Sequence, residues 1–260
     1  NDPKYFVAKG DLMRPLLMVH GISSNARKTY GVPGCLLGPD PRGLYSYLIK
    51  RGYRAGVDLF WYSYPTLNPI PVSARRLRNE IERVLNKSTY RDLDVLTFSL
   101  GGIIGKYYAI SPLYQNEIHK LVMIAPPFSG SHWADWFRIT FSRSDNDLLF
   151  EGDGKALSPQ VLSYGNQFLK QLALTPFPEK IETAIIALKA IPKQKISLAY
   201  ETLRWLINWT GEGDLVVPLE SARINVNHFY EISEELSLKA IHRYLPYNRR
   251  VQELVFQVLQ

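Results

Sequence analysis

Cysteine is nearly missing from this chain: Cys35 is the single one among 260 residues. One thiol excludes an internal disulfide and a thiolate metal centre, and it leaves the compartment open. No apolar run reaches the roughly eighteen residues that a membrane-crossing helix needs. The first residue is Asn1, not methionine, and no charged-then-apolar leader follows it. The chain reads as a processed or trimmed product, with the compartment unassigned and export or a membrane surface favoured if a signal preceded Asn1. Glycine patterns that cradle nucleotide phosphates are absent too. Charge of one sign is only modestly in excess, 31 Lys+Arg against 24 Asp+Glu for a net +7, enough for a weak, salt-sensitive attraction to anionic surfaces. The basic residues are scattered apart from Arg75-Arg76 with Arg78 and Arg249-Arg250. With no reader motif around them, nucleic acid is not an expected partner.

What the chain does have is apolar residues, 46% of the total with 21% charged. That suffices for a substantial core and fits one domain spanning 1–260. Its focal stretch is Val95-Leu96-Thr97-Phe98-Ser99-Leu100-Gly101-Gly102. Asp94 to Phe98 is short and apolar, as a buried strand should be, and Ile103, Ile104, Tyr107 and Tyr108 then recur at helical spacing. Ser99 therefore sits at a strand-to-helix corner. Such a nucleophile elbow is strained at the serine and needs small residues two before and two after it. Gly101 meets that demand and Thr97 meets it in part. Ser163-Tyr164-Gly165 has the same spacing but follows Ser158-Pro159 in a polar setting, with no strand before it.

Other strands and helices alternate around this point. Pro15 to Val19 reads as a strand that stops at His20-Gly21-Ile22, from whose loop a backbone N–H can point at a neighbouring strand end; His20 itself is expected to brace that loop. Residues 42–51 form a helix, Tyr53 to Tyr64 a strand and Ser73 to Asn86 a helix with an apolar stripe of Ala74, Leu77, Ile81, Val84 and Leu85. Lys120 to Ala125 is another strand, stopped by Pro126-Pro127. This alternation implies an α/β fold with a mostly parallel, doubly wound sheet, whose ligands bind beyond the carboxyl ends of the strands. From Ser131 to about Ala199 the rhythm breaks, with Trp133, Trp136, Phe137 and Phe141 followed by polar and amphipathic stretches, including Ile181 to Ile191. That segment reads as an inserted, largely helical cap. The sheet is expected to resume at Leu203 to Trp209. The Thr210 to Pro218 turn then projects Asp214 as a candidate acid. His228 lies in an alternating, strand-like run. His242 sits in the loop before the last helix, Asn248 to Gln260, and is the expected base.

Together these residues resemble the lipase and esterase branch of the α/β-hydrolase superfamily, over most of the chain. The resemblance rests on His20-Gly21-Ile22, Thr97-Phe98-Ser99-Leu100-Gly101-Gly102, Pro127-Phe128-Ser129-Gly130-Ser131, Gly213-Asp214 before Val217-Pro218, and His242 before the final helix. The order Ser, Asp, His is that of the fold. Two departures stand out: Thr97 replaces the usual glycine, and Phe128 stands where many relatives have histidine. The resemblance implies Ser99 as nucleophile, His242 as general base, Asp214 as its orienting acid, and the backbone N–H groups of Ile22 and Leu100 as the oxyanion hole. It implies hydrolysis of lipophilic acyl esters with no metal or organic cofactor. The partners would be a small-molecule lipid or ester substrate and, transiently, lipid surfaces. A phospholipase, lipid deacylase or acyltransferase shares the same triad, and a non-catalytic lipid-binding module of the same fold is the alternative from another class.

Overall fold

A computed structural model of the chain describes residues 13–34, 38–134, 161–191, 209 and 211–260. In chain order the elements are β1 (Leu16–Val19), α1 (Ala26–Tyr30), α2 (Leu44–Ile49), β2 (Leu59–Tyr62), α3 (Ile70–Leu85), β3 (Leu93–Phe98), α4 (Leu100–Ile110) and β4 (Ile118–Ile124). There follow α5 (Gln167–Leu174), β5 (Glu182–Ile191), α6 (Leu219–Ala222), β6 (His228–Glu235), the 3₁₀ turns Leu238–Ala240 and His242–Tyr247, and α7 (Arg249–Leu259). The six strands form one sheet in the order β2-β1-β3-β4-β5-β6, and every neighbouring pair is parallel.

The sequence builds this sheet because both of its faces are covered. Leu17, Val19, Val95, Leu121, Met123 and Ile185 face one side, where α3 and α4 pack with Leu77, Ile81, Ile103 and Ile104. Leu16, Met18, Leu96, Val122, Ile124 and Ile186 face the other, against Leu44 and Leu48 of α2 and Val251 and Val255 of α7. Strands buried on both faces read as continuous apolar runs. Each such Leu, Ile or Val removed from water contributes about 1.5–3 kcal/mol.

One expectation is overturned. Residues 182–191, assigned from sequence to the 131–199 cap, are a ten-residue internal strand of the sheet, with β4 on one side and the edge strand β6 on the other. Ala184 to Leu188 is an unbroken apolar run, and its residues also recur at helical spacing. Periodicity alone does not separate a strand buried on both faces from a buried helix. An insertion after Ser131 therefore ends before Glu182. Its central residues 135–160, with Trp136, Phe137 and Phe141, lie outside the described residues, as do residues 203–208 of the strand expected at Leu203 to Trp209.

The chain crosses from β3 to α4 in a single residue. Ser99 has φ 54° and ψ −122°, a conformation that costs a non-glycine residue about 1–3 kcal/mol. The turn is held by the Ser99 N–H donating to Ile124 O at 2.9 Å and the Gly102 N–H to Ser99 O at 2.8 Å. It also brings α4 against the end of β1, where a Cβ on Gly101 would lie 2.7 Å from Val19 O and 2.8 Å from His20 O. Thr97, fully buried, is tolerated two residues before the serine because its hydroxyl donates to Val122 O at 3.4 Å and its methyl faces the bare backbone of Gly105. Phe128 is buried beneath the amine of Lys106, whose Nζ lies 5.6 Å from its ring centroid and 4.1 Å from that of Phe177. Burial lowers the Lys106 pKa to about 8.

His20 braces the loop after β1. Its Nδ1–H donates to Gly21 O at 2.8 Å, its Nε2 accepts the Tyr64 N–H at 3.1 Å, and its carbonyl accepts the Tyr64 hydroxyl at 2.8 Å. The rings of His20 and Tyr64 stack at 4.4 Å. Both ring nitrogens are committed only in the neutral tautomer, and burial holds the pKa below the ordinary histidine value.

Two measurements check this scaffold. Gly101→Ala gains about 1 kcal/mol of helix propensity but overpacks at a cost of roughly 1–3 kcal/mol, since the obstructing atoms are backbone and cannot rotate away. Its Tm should fall by several degrees, while Gly38→Ala, where nothing lies within 4 Å of the new methyl, should melt like the parent. The second test concerns acid. Because the folded state lowers the His20 pKa, the unfolded chain binds the extra proton first, and this stabilising contribution is intact above the ordinary histidine value and lost as pH falls below it. Urea midpoints measured between about pH 8 and pH 5 should decline, and in His20→Gln, which does not titrate, that decline should be shallower.

Candidate active site

The carboxyl ends of the strands carry the singled-out residues. Ser99 follows β3, Ile22 lies in the loop after β1, Asp214 follows β5 and His242 follows β6. Leu100 is the first residue of α4, so its N–H has no acceptor inside the helix. Among the described residues, neither the Ile22 nor the Leu100 N–H donates to a protein acceptor. The β1 loop and the serine are in close contact, since a Cβ on Gly21 would lie 3.0 Å from the Ser99 Cβ. Ser99 is 5% exposed, buried but not sealed.

Asp214 and His242 meet across 28 residues of chain. His242 Nδ1 donates to Asp214 Oδ2 at 2.6 Å, and the His242 backbone N–H donates to Asp214 O at 3.0 Å. The other carboxylate oxygen, Oδ1, accepts from the Val216 N–H at 3.0 Å and the Val217 N–H at 2.8 Å. Asp214 is 1% exposed, and a carboxylate so buried needs donors on both oxygens. The turn reaches this place because β5 is long: the Ala190 N–H, near its end, donates to Gly213 O at 2.8 Å.

His242 opens a 3₁₀ turn that is fixed from behind. The Asn248 side chain caps α7 by accepting the Arg250 and Val251 N–H groups and donates to Glu234 Oε2 at 2.8 Å and Lys239 O at 3.1 Å. Gln252 Nε2 donates to Pro246 O at 2.9 Å and Arg42 O at 2.8 Å. The His242 ring lies 4.7 Å, centroid to centroid, from that of Phe98, the residue before Ser99. With Nδ1 engaged by Asp214, Nε2 has no partner among the described residues, on a ring that packs against the residue before the strained serine. That is the equipment for deprotonating a hydroxyl.

The competing residues lie elsewhere. His228 begins β6 in register with Ala184, at the amino edge of the sheet, with its Nε2 3.7 Å from Glu182 Oε1. Ser163 is paired by an isolated bridge to Ser131, and its Oγ is buried without a partner. Sequence reasoning did not foresee that Ser131 and Trp133 reach the Asp214 turn: Ser131 Oγ donates to Val216 O and Trp133 Nε1 to Leu215 O. Nothing in local spacing signals a contact more than eighty residues away. Among the described residues no three of His, Cys, Asp and Glu gather as a bound metal would require, and no helix is long and apolar enough to cross a membrane.

No family model matches the sequence, and no curated protein is similar to it. Solved structures are. The chain resembles the mature form of the lipase BlEst2 from Bacillus licheniformis with a TM-score of 0.70 at 16% identity, over 100% of this chain and 96% of that one. It resembles phospholipase PlaB from Legionella pneumophila with a TM-score of 0.65 at 16% identity, over 95% of this chain but 59% of that one, so it spans little more than half of PlaB. The metagenomic carboxyl esterase MGS0156 gives a TM-score of 0.61 at 14% identity, over 97% and 76%. At these identities the likeness concerns architecture, and together with the parallel sheet and its strand order it establishes that the chain has the α/β-hydrolase fold.

Proposed function

We propose that the protein is a serine hydrolase that cleaves lipophilic carboxylic esters, with Ser99 as nucleophile, His242 as general base and Asp214 as its orienting acid. The observation that carries this reading is the buried Asp214–His242 pair, closed at 2.6 Å and packed on Phe98, directly before a serine held at φ 54°. A structural histidine has no need of a buried carboxylate on one nitrogen and an uncommitted lone pair on the other. The fold neighbours support the same class, since they include a lipase, a carboxyl esterase and a phospholipase.

In this mechanism His242 Nε2 takes the Ser99 hydroxyl proton as Oγ attacks the ester carbonyl carbon. The carbonyl π electrons move onto oxygen, and the oxyanion accepts from the Ile22 and Leu100 N–H groups. Each such donor contributes about 2.7–4 kcal/mol in comparable enzymes. Collapse breaks the bond to the alkoxide, which receives the proton from His242. Water, deprotonated by His242 in turn, then attacks the acyl-enzyme, releasing the carboxylic acid and returning the proton to Ser99. Asp214 stays ionised throughout and stabilises the imidazolium. The aromatic composition that begins at Trp133 favours a lipophilic acyl group over a small polar one.

Ser99→Ala removes the attacking oxygen and should lower kcat roughly 10⁴- to 10⁶-fold with the protein still folded. Ser163→Ala should leave it unchanged, and a fluorophosphonate probe should label Ser99; labelling at Ser163 would overturn the assignment. Chain-length dependence tests the substrate class. Each enclosed CH₂ is worth about 0.8 kcal/mol, so kcat/KM for p-nitrophenyl esters should climb about a hundredfold over four added methylenes. A flat or falling profile beyond butyrate would mean a small acyl pocket.

A further inference from the structure

The loop leaving β4 carries two side chains for which acyl transfer has no use, and both end on the backbone beside Asp214. Ser131 Oγ donates to Val216 O at 2.5 Å, and Trp133 Nε1 donates to Leu215 O at 2.6 Å. These are consecutive carbonyls of one turn. On the other side of the same peptides, the Val216 and Val217 N–H groups point at Asp214 Oδ1. Leu215 lies between them with φ 70°, in the left-handed region that a β-carbon disfavours, so the turn stays put only where its surroundings over-determine it.

The loop that does the holding is itself anchored. The Ser131 N–H donates to Leu162 O at 2.9 Å, Ser221 Oγ to Gly130 O at 2.7 Å, and the Ser129 N–H to Ser221 Oγ at 3.0 Å. A fixed strand end thus grips the carbonyl side of the acid turn, and the amide side of that turn grips the acid.

We propose that Ser131 and Trp133 are positioning residues, a clamp on the 214–217 turn that sets the direction of the Asp214 carboxylate and, through it, the tautomer and basicity of His242. This rests on the assignment of Ser99, His242 and Asp214 above. With the clamp removed, Leu215 relaxes toward negative φ, the two amides swing off Oδ1, and the carboxylate turns away from Nδ1. The imidazolium formed in the transition state then loses part of its counter-charge. Among the described residues Asp214 is the charged group paired with the His242 ring, so the loss has no second carboxylate to compensate it.

The test uses the full chain and p-nitrophenyl butyrate. Trp133→Phe keeps a ring toward Trp209, which Trp133 meets edge-on at 5.4 Å, but deletes the N–H donor together with part of the bicyclic ring; Ser131→Ala deletes one oxygen and little else. Each should lower kcat roughly tenfold, against ~10⁴-fold when the acid of such a triad is made neutral, with KM nearly unchanged. The acid limb of kcat/KM should move to lower pH, since a histidine with a weaker carboxylate partner protonates less readily. Ser131→Thr, which restores the hydroxyl, should recover the rate. In an Asp214→Asn background, Trp133→Phe should change kcat no further, because its route of action is already cut. A wild-type kcat and acid limb in both clamp variants, or the same tenfold loss on top of Asp214→Asn, overturns the proposal. Should Trp133→Phe not fold, Ser131→Ala carries the comparison alone. The two levels separate cleanly: turnover retained in Ser99→Ala sinks the hydrolase reading, whereas inactive Ser99→Ala and His242→Ala beside unaffected clamp variants sink only the clamp.

Discussion

Everything at the carboxyl edge of the sheet depends on one residue being held where residues of its kind rarely go. Ser99 at φ 54° turns the chain from β3 into α4 without a connecting loop. The hydroxyl is thereby presented at the strand end, and α4 is pressed against the backbone of β1 and β4. The strain of about 1–3 kcal/mol is offset by packing on both faces of the sheet: Val95 before the turn and Ile103 and Ile104 after it are buried in one core, and Leu96 in the other. A flexible loop would satisfy the backbone more cheaply but would leave the hydroxyl without a fixed direction.

The second requirement is a charge in a dry place. Asp214 is buried and among the described residues makes no ion pair with a lysine or arginine, its two oxygens being satisfied by two backbone N–H groups and one imidazole. Backbone donors are fixed dipoles that need no rearrangement when the imidazole gains a proton. The Asp214 turn, the β4 loop and the α7 cap at Asn248 thus surround the tilted ring pair of Phe98 and His242, which joins the Asp214–His242 pair to the strand end that carries Ser99.

Much of this was legible from sequence because it is local. The elbow announces itself through an apolar run, a serine and glycines within eight residues. The helix read from its stripe as Ser73 to Asn86 is found at Ile70–Leu85, and the stripe of the last helix places it too, although the capping role of Asn248 emerges only in the structure. What sequence misread is non-local. Ala184 to Leu188 looks alike as helix or strand until β4 and β6 are known to flank it, and the reach of Trp133 to Leu215 depends on two loops being brought together by the sheet order. His20 was legible in role but not in partner. That it stacks on Tyr64 follows from β1 and β2 being neighbours, which no pattern within either strand reveals.

The parallel topology also dictates when the site can exist. The elbow needs only β1, β3 and β4, segments within residues 16–124, and its serine can be in place as soon as these have condensed. Asp214 and His242 cannot: Asp214 is registered by β5, and His242 is pinned between β6 and the cap of α7. The approach of the His242 ring to Phe98 spans more chain than the pairing of β1 with β3, and loop closure must precede it. During synthesis the turn at Ser99 can therefore close before His242 has joined the chain. Recovery of serine reactivity would then lag behind the recovery of secondary structure and report the docking of the final strand and helix.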